Sequence, residues 1–420
     1  LYPLRDQLRK FDQWTHELAL MWNYALEQRR SAWQLDHHSV SFLEQQSDLS
    51  RWRSFDADGL GRVPFAVAQS ALQRLDLSFR AFFRNVKTGR PPGFPRFRRS
   101  VDSFSFVPSA DPWTPGPKGT WRLKVPCLAA VPVQRHRPPP NGGTARFVTI
   151  RREVDQWFVS IAYLVADPPP PSPLPPERPV GIDVGLLHLA ALSDGTLVEP
   201  PRYLNRAQRQ LARDQRRLAR RRPGSHRRER QRVRVARRHR KVERQRRWFA
   251  HQLSHDWAER FDLVAMEDLN VAGLGRGWSA RSIHDAGWSM LRTMTQYKAG
   301  MRSHRFIAVD PRYTSQRCSR CGALAERTLS LSDREFACGC GHRMDRDVNA
   351  ARNIEALGIK EVGRKPAEVT RGERAPLSSR VGRRAYQRRQ APSMSRETPS
   401  GRRRRRDSRE RARNLDRPER

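Results

Sequence analysis

The sequence is short of lysine, of acids and of apolar residues. Of its 420 residues only 8 are Lys, against 74 Arg, and only 43 are Asp or Glu, so the formal net charge is +39. Such a field repels cations and draws in polyanions, which sets aside an ordinary small-molecule enzyme and points to nucleic acid. Codon bias can account for Arg over Lys but not for the positive excess, and the planar guanidinium grips phosphate bidentately. Hydrophobic residues make up 37% of the chain, below the ~45–50% usual in globular domains, so part of it stands outside any packed core. No run of ~18 apolar residues is present, which excludes a membrane-spanning helix. No secretory signal opens the chain, so a cytoplasmic protein is expected, with a true start upstream of Leu1. Five cysteines are too few for a disulfide scaffold. Four of them crowd together, which in a reducing compartment reads as metal binding. Cys127, alone, is expected to be a buried apolar filler.

What is present divides the chain into regions. Leu4, Leu8, Phe11, Leu18, Trp22 and Leu26 predict an amphipathic helix over 4–30, and Ala68, Leu72, Leu75, Phe79 and Phe82 another over 65–85. These make 1–92 an N-terminal helical region, with a polar stretch and a break at Asp58-Gly59 between the helices. From 93 to 166 short β-rich runs take over: 103–107, 121–125, 147–150 and 157–165, the last two joined in a hairpin at Glu153-Val154-Asp155. A small β-barrel or open sheet is expected there. Prolines over 167–178 form a stiff linker and a domain boundary.

The second half opens with an apolar strand, Pro179-Val-Gly-Ile-Asp183, followed by short strands around Leu189-Ala-Ala-Leu and Thr196-Leu-Val. Between 202 and 247 stand 21 Arg or Lys and 3 acids. Leu204, Leu211 and Leu218, then Val235, Val242 and Phe249, recur every seven residues on either side of Pro223-Gly224-Ser225. This predicts a helical hairpin over 202–260 with a thin apolar seam and a basic exterior. A charge run is usually a solvated face, but one sign dominates here so far that self-repulsion would oppose the helices without a polyanion. Arg227, Arg228, Arg237 and Arg238 are its candidate nucleic-acid contacts. Two more buried strands end in Glu267 and in Asp310-Pro311, and a helix is expected over about 347–357. Beyond 361 the chain is expected to be a disordered basic tail.

Three acids stand out by context: Asp183 and Glu267 at the ends of apolar strands, and Asp347 at the head of a helix. Each alone has an ordinary structural reading as a turn residue, an Arg partner or an N-cap. Together, converging carboxylates would repel unless divalent cations neutralised them, and hard oxygen ligands select Mg²⁺ or Mn²⁺. Two such ions ~4 Å apart can clamp the attacking water and leaving oxygen of a phosphodiester. Cys318-x-x-Cys321 and Cys338-x-Cys340 suit one structural, tetrahedral Zn²⁺. The second pair is one residue short, Gly339 is expected to relax the backbone there, and His342 is a reserve ligand.

The ordered series Gly181-Ile-Asp-Val-Gly, the Arg-rich hairpin, Met266-Glu-Asp-Leu-Asn, Val309-Asp-Pro-Arg-Tyr-Thr-Ser-Gln-Arg-Cys-Ser-Arg-Cys-Gly and Asp345-Arg-Asp-Val-Asn-Ala-Ala closely resembles one family. These are the TnpB/OrfB proteins of bacterial insertion sequences, compact RNA-guided DNA endonucleases similar to type V CRISPR effectors. The resemblance is strong over 180–358 and looser over 1–166, where Leu1-Tyr-Pro, Trp22-Asn23 and Gly93-Phe-Pro-Arg-Phe still carry it. It implies a multidomain α+β protein. A wedge-like β-domain would precede a RuvC-like nuclease of RNase H fold over 179–313 and 344–360, interrupted by the helical hairpin and by a zinc ribbon over 314–343. It implies Asp183, Glu267 and Asp347 as catalytic acids holding two Mg²⁺ (or Mn²⁺), with Asp345 left as a capping residue. Its partners would be a guide RNA from the transposon end and a double-stranded DNA target. Family members carry a further strand upstream of Leu-Tyr-Pro that this sequence does not show. The readings that compete are a nuclease-inactive RNA-guided regulator, a transposase that itself joins DNA strands, and a zinc-ribbon binder of structural role; the last leaves the three acids unexplained.

Overall fold

The computed structural model describes residues 1–270, 286–327, 329 and 333–364. Three helices open the chain: α1 (Arg5–Asp36), α2 (Phe42–Phe55) and α3 (Phe65–Lys87). The first and third follow the apolar stripes. The second occupies the stretch taken as a polar connection, and Ser41 and Glu44 start it with a reciprocal capping box. Its buried side is Gln45, Leu49 and Trp52. Gln45 is fully buried and satisfied by Arg29 Nε, which donates to its Oε1 at 2.9 Å, and by the Ala25 carbonyl at 2.8 Å.

Six strands follow: β1 (Ser103–Phe106), β2 (Trp113–Pro115), β3 (Trp121–Leu123), β4 (Val131–Val133), β5 (Thr144–Glu153) and β6 (Gln156–Leu164). Where a small barrel or an open sheet was expected, they form two three-stranded antiparallel sheets, β1-β5-β6 and β2-β3-β4. β2 and β4 are only three residues long and each carries a proline, which caps the ladder. One core runs from the helices into both sheets; Phe11 meets Phe104 and Trp157 edge to face at 5.2 and 5.1 Å. Cys127 is exposed with φ +59°, on a turn before β4, so it is not the buried filler expected of it.

The second half is built on a five-stranded sheet of order β11-β10-β7-β8-β9. Its strands are β7 (Pro179–Asp183), β8 (Ala190–Leu192), β9 (Leu197–Val198), β10 (Leu263–Glu267) and β11 (Arg305–Val309). β7, β10 and β11 run parallel, and β8 is antiparallel to its neighbours. The parallel strands are near-continuous apolar runs because both faces are covered. Val180, Ile182, Val264 and Met266 face one core with Ala250 and Trp257 of α5 (His226–Arg260) and Trp288 and Leu291 of α6 (Trp288–Met301). On the other face Ala265 and Val309 meet Ile354 of α7 (Arg346–Arg364). Here the residues are small for a reason: a Cβ on Gly181 would lie 1.9 Å from the Ala351 carbonyl oxygen, and one on Gly358 2.6 Å from Ala265 Cβ. α7 lies almost directly on the sheet.

The basic segment is the expected helical hairpin, α4 (Tyr203–Ala219) and α5, turned at Gly224 with φ +78°. α6 has no counterpart in the sequence reading, because Thr295 and Lys298 stand where apolar residues should. Lys298 is buried against α5 and donates to the His251 carbonyl at 2.6 Å and to Ser254 Oγ at 2.8 Å. A short hairpin, β12 (Glu335–Ala337) and β13 (Arg343–Asp345), precedes α7. α7 runs through Arg364, so 361–364, assigned to the tail, are helical; the rest of the expected disordered tail lies outside the described residues. No helix among the described residues is long and apolar enough to cross a membrane.

Candidate active site

Asp183 and Glu267 end neighbouring parallel strands. The ladder pairs Ile182 with Met266, so the next residue of each strand is an acid, side by side at the carboxyl edge of the sheet. Ligand sites in such sheets form outside that edge. The third acid arrives on α7. Asp345 Oδ1 accepts the backbone N–H of Asp347 at 2.9 Å and of Val348 at 3.0 Å, an N-cap that starts the helix. Asp345 is thereby used as a cap, and Asp347 in the first turn is left for the site. The contact of α7 with Gly181 delivers Asp347 to the end of β7.

All three acids are half-buried. Burial pushes the Asp183 carboxyl well above its ordinary range, and the charges of Glu267 and then Asp347 push it further; Arg346 opposes this. Burial also raises Glu267, while a hydrogen bond from Thr314 pulls the other way: Thr314 Oγ1 donates to Glu267 Oε1 at 2.6 Å. Arg346 Nη2 lies 3.5 Å from Asp347 Oδ1. Two carboxylates thus act on Asp183, and one guanidinium opposes them. The donor set is all hard oxygen and under-neutralised, which fits divalent cations of the Mg²⁺ or Mn²⁺ kind.

The cysteine cluster is tighter. The sulfurs of Cys318, Cys321, Cys338 and Cys340 all lie within 4.8 Å of one another, with Cys318–Cys340 at 3.8 Å and Cys321–Cys338 at 3.6 Å. Zn–S bonds of ~2.3 Å in a tetrahedron imply sulfurs about 3.8 Å apart, so the four thiols fit such an ion. Both knuckles turn alike: the Cys318 N–H bonds to the Ala323 carbonyl and the Cys338 N–H to the His342 carbonyl. The short second knuckle closes through Gly341, at φ +81°, whose N–H reaches the Cys338 carbonyl at 2.9 Å. Gly341, not Gly339, is therefore the permissive residue. His342 stands outside the cluster, its Nε2 against Met344 Sδ at 3.1 Å.

The sequence reading missed what joins the two sites. Asn349 and Asn353 of α7 both donate to the Arg317 carbonyl at 2.7 Å; Asn353 also donates to the Thr314 carbonyl at 2.8 Å, and Asn349 Oδ1 accepts the Ser319 N–H at 2.9 Å. The first knuckle is thus pinned to the helix that carries Asp347.

The four candidate arginines are placed unequally. Arg227 is exposed. Arg228 Nη1 donates to the Leu218 and Arg221 carbonyls, closing the end of α4. Arg237 pairs with Asp155 at 2.6 Å, and Arg238 with buried Asp214. Three of the four therefore have partners within the chain.

Two family matches cover the second half: "Probable transposase" over residues 160–276 and "Cas12f1-like, TNB domain" over 288–354. A "Putative RNA-guided DNA endonuclease" of Streptomyces pristinaespiralis is 32% identical over 85% of this chain and 88% of its own length. The chain belongs to the TnpB/OrfB family. A second member, "Putative RNA-guided DNA endonuclease InsQ" of Escherichia coli (strain K12), is 29% identical over 80% of this chain and 86% of its own. The fold resembles that of the Cas12f1 chain in a Cas12f1–sgRNA–target DNA complex, with a TM-score of 0.55 and 14% identity over 84% of this chain and 83% of that one.

Proposed function

We propose that this family member is an RNA-guided, divalent-metal-dependent DNA endonuclease of a transposable element, hydrolysing phosphodiester bonds at a RuvC-like site made by Asp183, Glu267 and Asp347. The observation that carries the reading is the meeting of these carboxylates at one sheet edge, where Asp183 is disfavoured as an anion by burial and by both other acids. The strand order, with one antiparallel member beside three parallel strands, supports an RNase H-type sheet. The names of its relatives support RNA guidance and a DNA target.

When bound, divalent cations would supply Lewis-acid activation of water and charge stabilisation at the scissile phosphate. The chain's own residues hold and orient. Asp183, Glu267 and Asp347 would present the oxygens, and Thr314 donates to one oxygen of Glu267, Oε1, and holds that side chain in place. Arg346 offsets part of the negative charge. Cys318, Cys321, Cys338 and Cys340 would hold one structural Zn²⁺, with no open position for chemistry. The basic hairpin would hold RNA through phosphate and shape, and base pairing would read the target. Intact acids favour an active nuclease over an inactive regulator. The test is cleavage of a plasmid matched to the RNA that co-purifies with the protein. Cut plasmid that requires Mg²⁺ supports the reading; a strand-joined product would make it a transposase instead.

A further inference from the structure

On the outer side of α5, Arg237, Arg240, Lys241, Arg244, Gln245 and Trp248 line a hollow of about 360 Å³. Its volume falls within the ~300–1,000 Å³ of small-ligand sites. Trp248 is 60% exposed, while its neighbour Phe249 turns inward onto Tyr203 and the sheet core. An indole left outside, beside a helix side made of cations, has no packing role.

The cations around it are held in place. The β5–β6 turn reaches α5 here: Arg237 and Arg240 pair with Asp155 at 2.6 and 3.3 Å, and Arg244 pairs with Glu153 at 3.1 Å while its guanidinium lies 4.7 Å from the Phe158 ring centroid. Four cations face two acids, so a positive excess remains, and the arginines lose little freedom on meeting an anion. Of the four, Lys241 is exposed and stands on the same helix two turns before Trp248. The field continues beyond the indole. His251, one turn further on, is driven toward its neutral form by burial and then by Lys298, Arg137 and Arg247.

We propose that this hollow is a nucleotide site for an unpaired stretch of single-stranded nucleic acid, with one base stacked on Trp248 and the adjoining phosphates on Lys241 and the ordered arginines. The proposal rests on the reading that the chain binds nucleic acid. A base offers a π-face whatever its identity, so the site is sequence-tolerant. The hollow is open to solvent, which lets a strand enter and leave; a closed pocket would take a free nucleotide. RNA and DNA share this chemistry.

The test uses the full-length protein freed of co-purified RNA, with labelled U12 and dT12 oligonucleotides and fluorescence anisotropy across a salt series. Trp248→Ala should weaken binding about tenfold or more at every salt concentration, with the salt slope kept, because stacking carries no charge. Trp248→Phe should recover most of the loss. Lys241→Ala should instead reduce the slope by ~0.7, as one phosphate contact on a single strand does. Whichever oligonucleotide shows the Trp248 effect names the strand held there. Wild-type affinity in Trp248→Ala for both oligonucleotides would overturn the site alone. Failure of the wild-type protein to bind either one would overturn the site together with the nucleic-acid reading beneath it.

Discussion

The Thr314 hydroxyl donates to Glu267 Oε1 at 2.6 Å, and the Thr314 carbonyl accepts from Asn353 on the helix that carries Asp347. Thr314 is buried and stands four residues before Cys318. One residue therefore ties the strand bearing Glu267, through its hydroxyl, to the helix bearing Asp347, through its carbonyl. A hydrogen bond to a charged group contributes about 1.5–3 kcal/mol.

Thr314→Val should therefore slow single-turnover cleavage by roughly 10- to 100-fold, since about 1.4 kcal/mol is tenfold in rate. RNA and target affinity should be unchanged. Thr314→Ser keeps the hydroxyl and should restore most of the rate. Equal rates for Val and Thr would show that the bond does not orient Glu267.

Gly181 has no room for a methyl group, because the atoms it would strike are the α7 backbone at Ala351 and Glu355, at 1.9 and 2.4 Å. Gly181→Ala should cost about 3 kcal/mol or more in urea unfolding, at or above the upper end of overpacking penalties, and should move Asp347 away from Asp183. A wild-type unfolding midpoint would contradict the close approach of strand and helix.

Much of this arrangement was legible. The acid-bearing strands are apolar runs with Pro179 and Asp262 at their heads, and the hairpin break at Pro223-Gly224-Ser225 falls where the helices turn. Elements whose buried positions are polar were not. Gln45 in α2 and Thr295 and Lys298 in α6 break the apolar stripe; Gln45 and Lys298 are satisfied by partners on other helices, and Thr295 by the Leu291 carbonyl one turn earlier. The Ser41–Glu44 capping box was the one local sign of α2. The partners that three of the four candidate arginines find within the chain were hidden for a similar reason: Arg237 meets an acid 82 positions away, which composition cannot show. Thr314 lies in the quoted stretch before the first cysteine, but only its contact with Glu267 reveals its use.

The raised Asp183 carboxyl makes the metal-free site a source of instability. In the folded state it holds its proton to higher pH than in the unfolded chain, so its own contribution to folded stability is greatest on the acid side. That contribution is lost as pH rises from the ordinary carboxyl range through the raised value. Asp183→Asn removes the titration. Without divalent ions it should melt above wild type at pH 8, and the gap should close as pH falls toward 4. Mg²⁺ or Mn²⁺ should raise the melting temperature of wild type at pH 8 more than that of the variant. A variant less stable than wild type at pH 8 would speak against a site of mutually repelling acids.

If the four cysteines hold one ion, elemental analysis of the purified chain should find one zinc per molecule. Cys318→Ser should lose it. The pinning of the knuckle by Asn349 and Asn353 should carry the damage into α7, so cleavage falls although no cysteine touches the substrate. Active protein free of zinc would leave the ribbon held by packing alone.

The central claim is that Asp183, Glu267 and Asp347 perform phosphodiester hydrolysis on a target chosen by RNA. The direct measurement compares Asp183→Ala with wild type, each purified with its RNA, for binding and cleavage of the same matched DNA in Mg²⁺. The account predicts target binding within about twofold of wild type and cleavage reduced by at least 1,000-fold, on the order of what loss of a residue from a cooperating catalytic set costs. Cleavage at the wild-type rate by Asp183→Ala would contradict it.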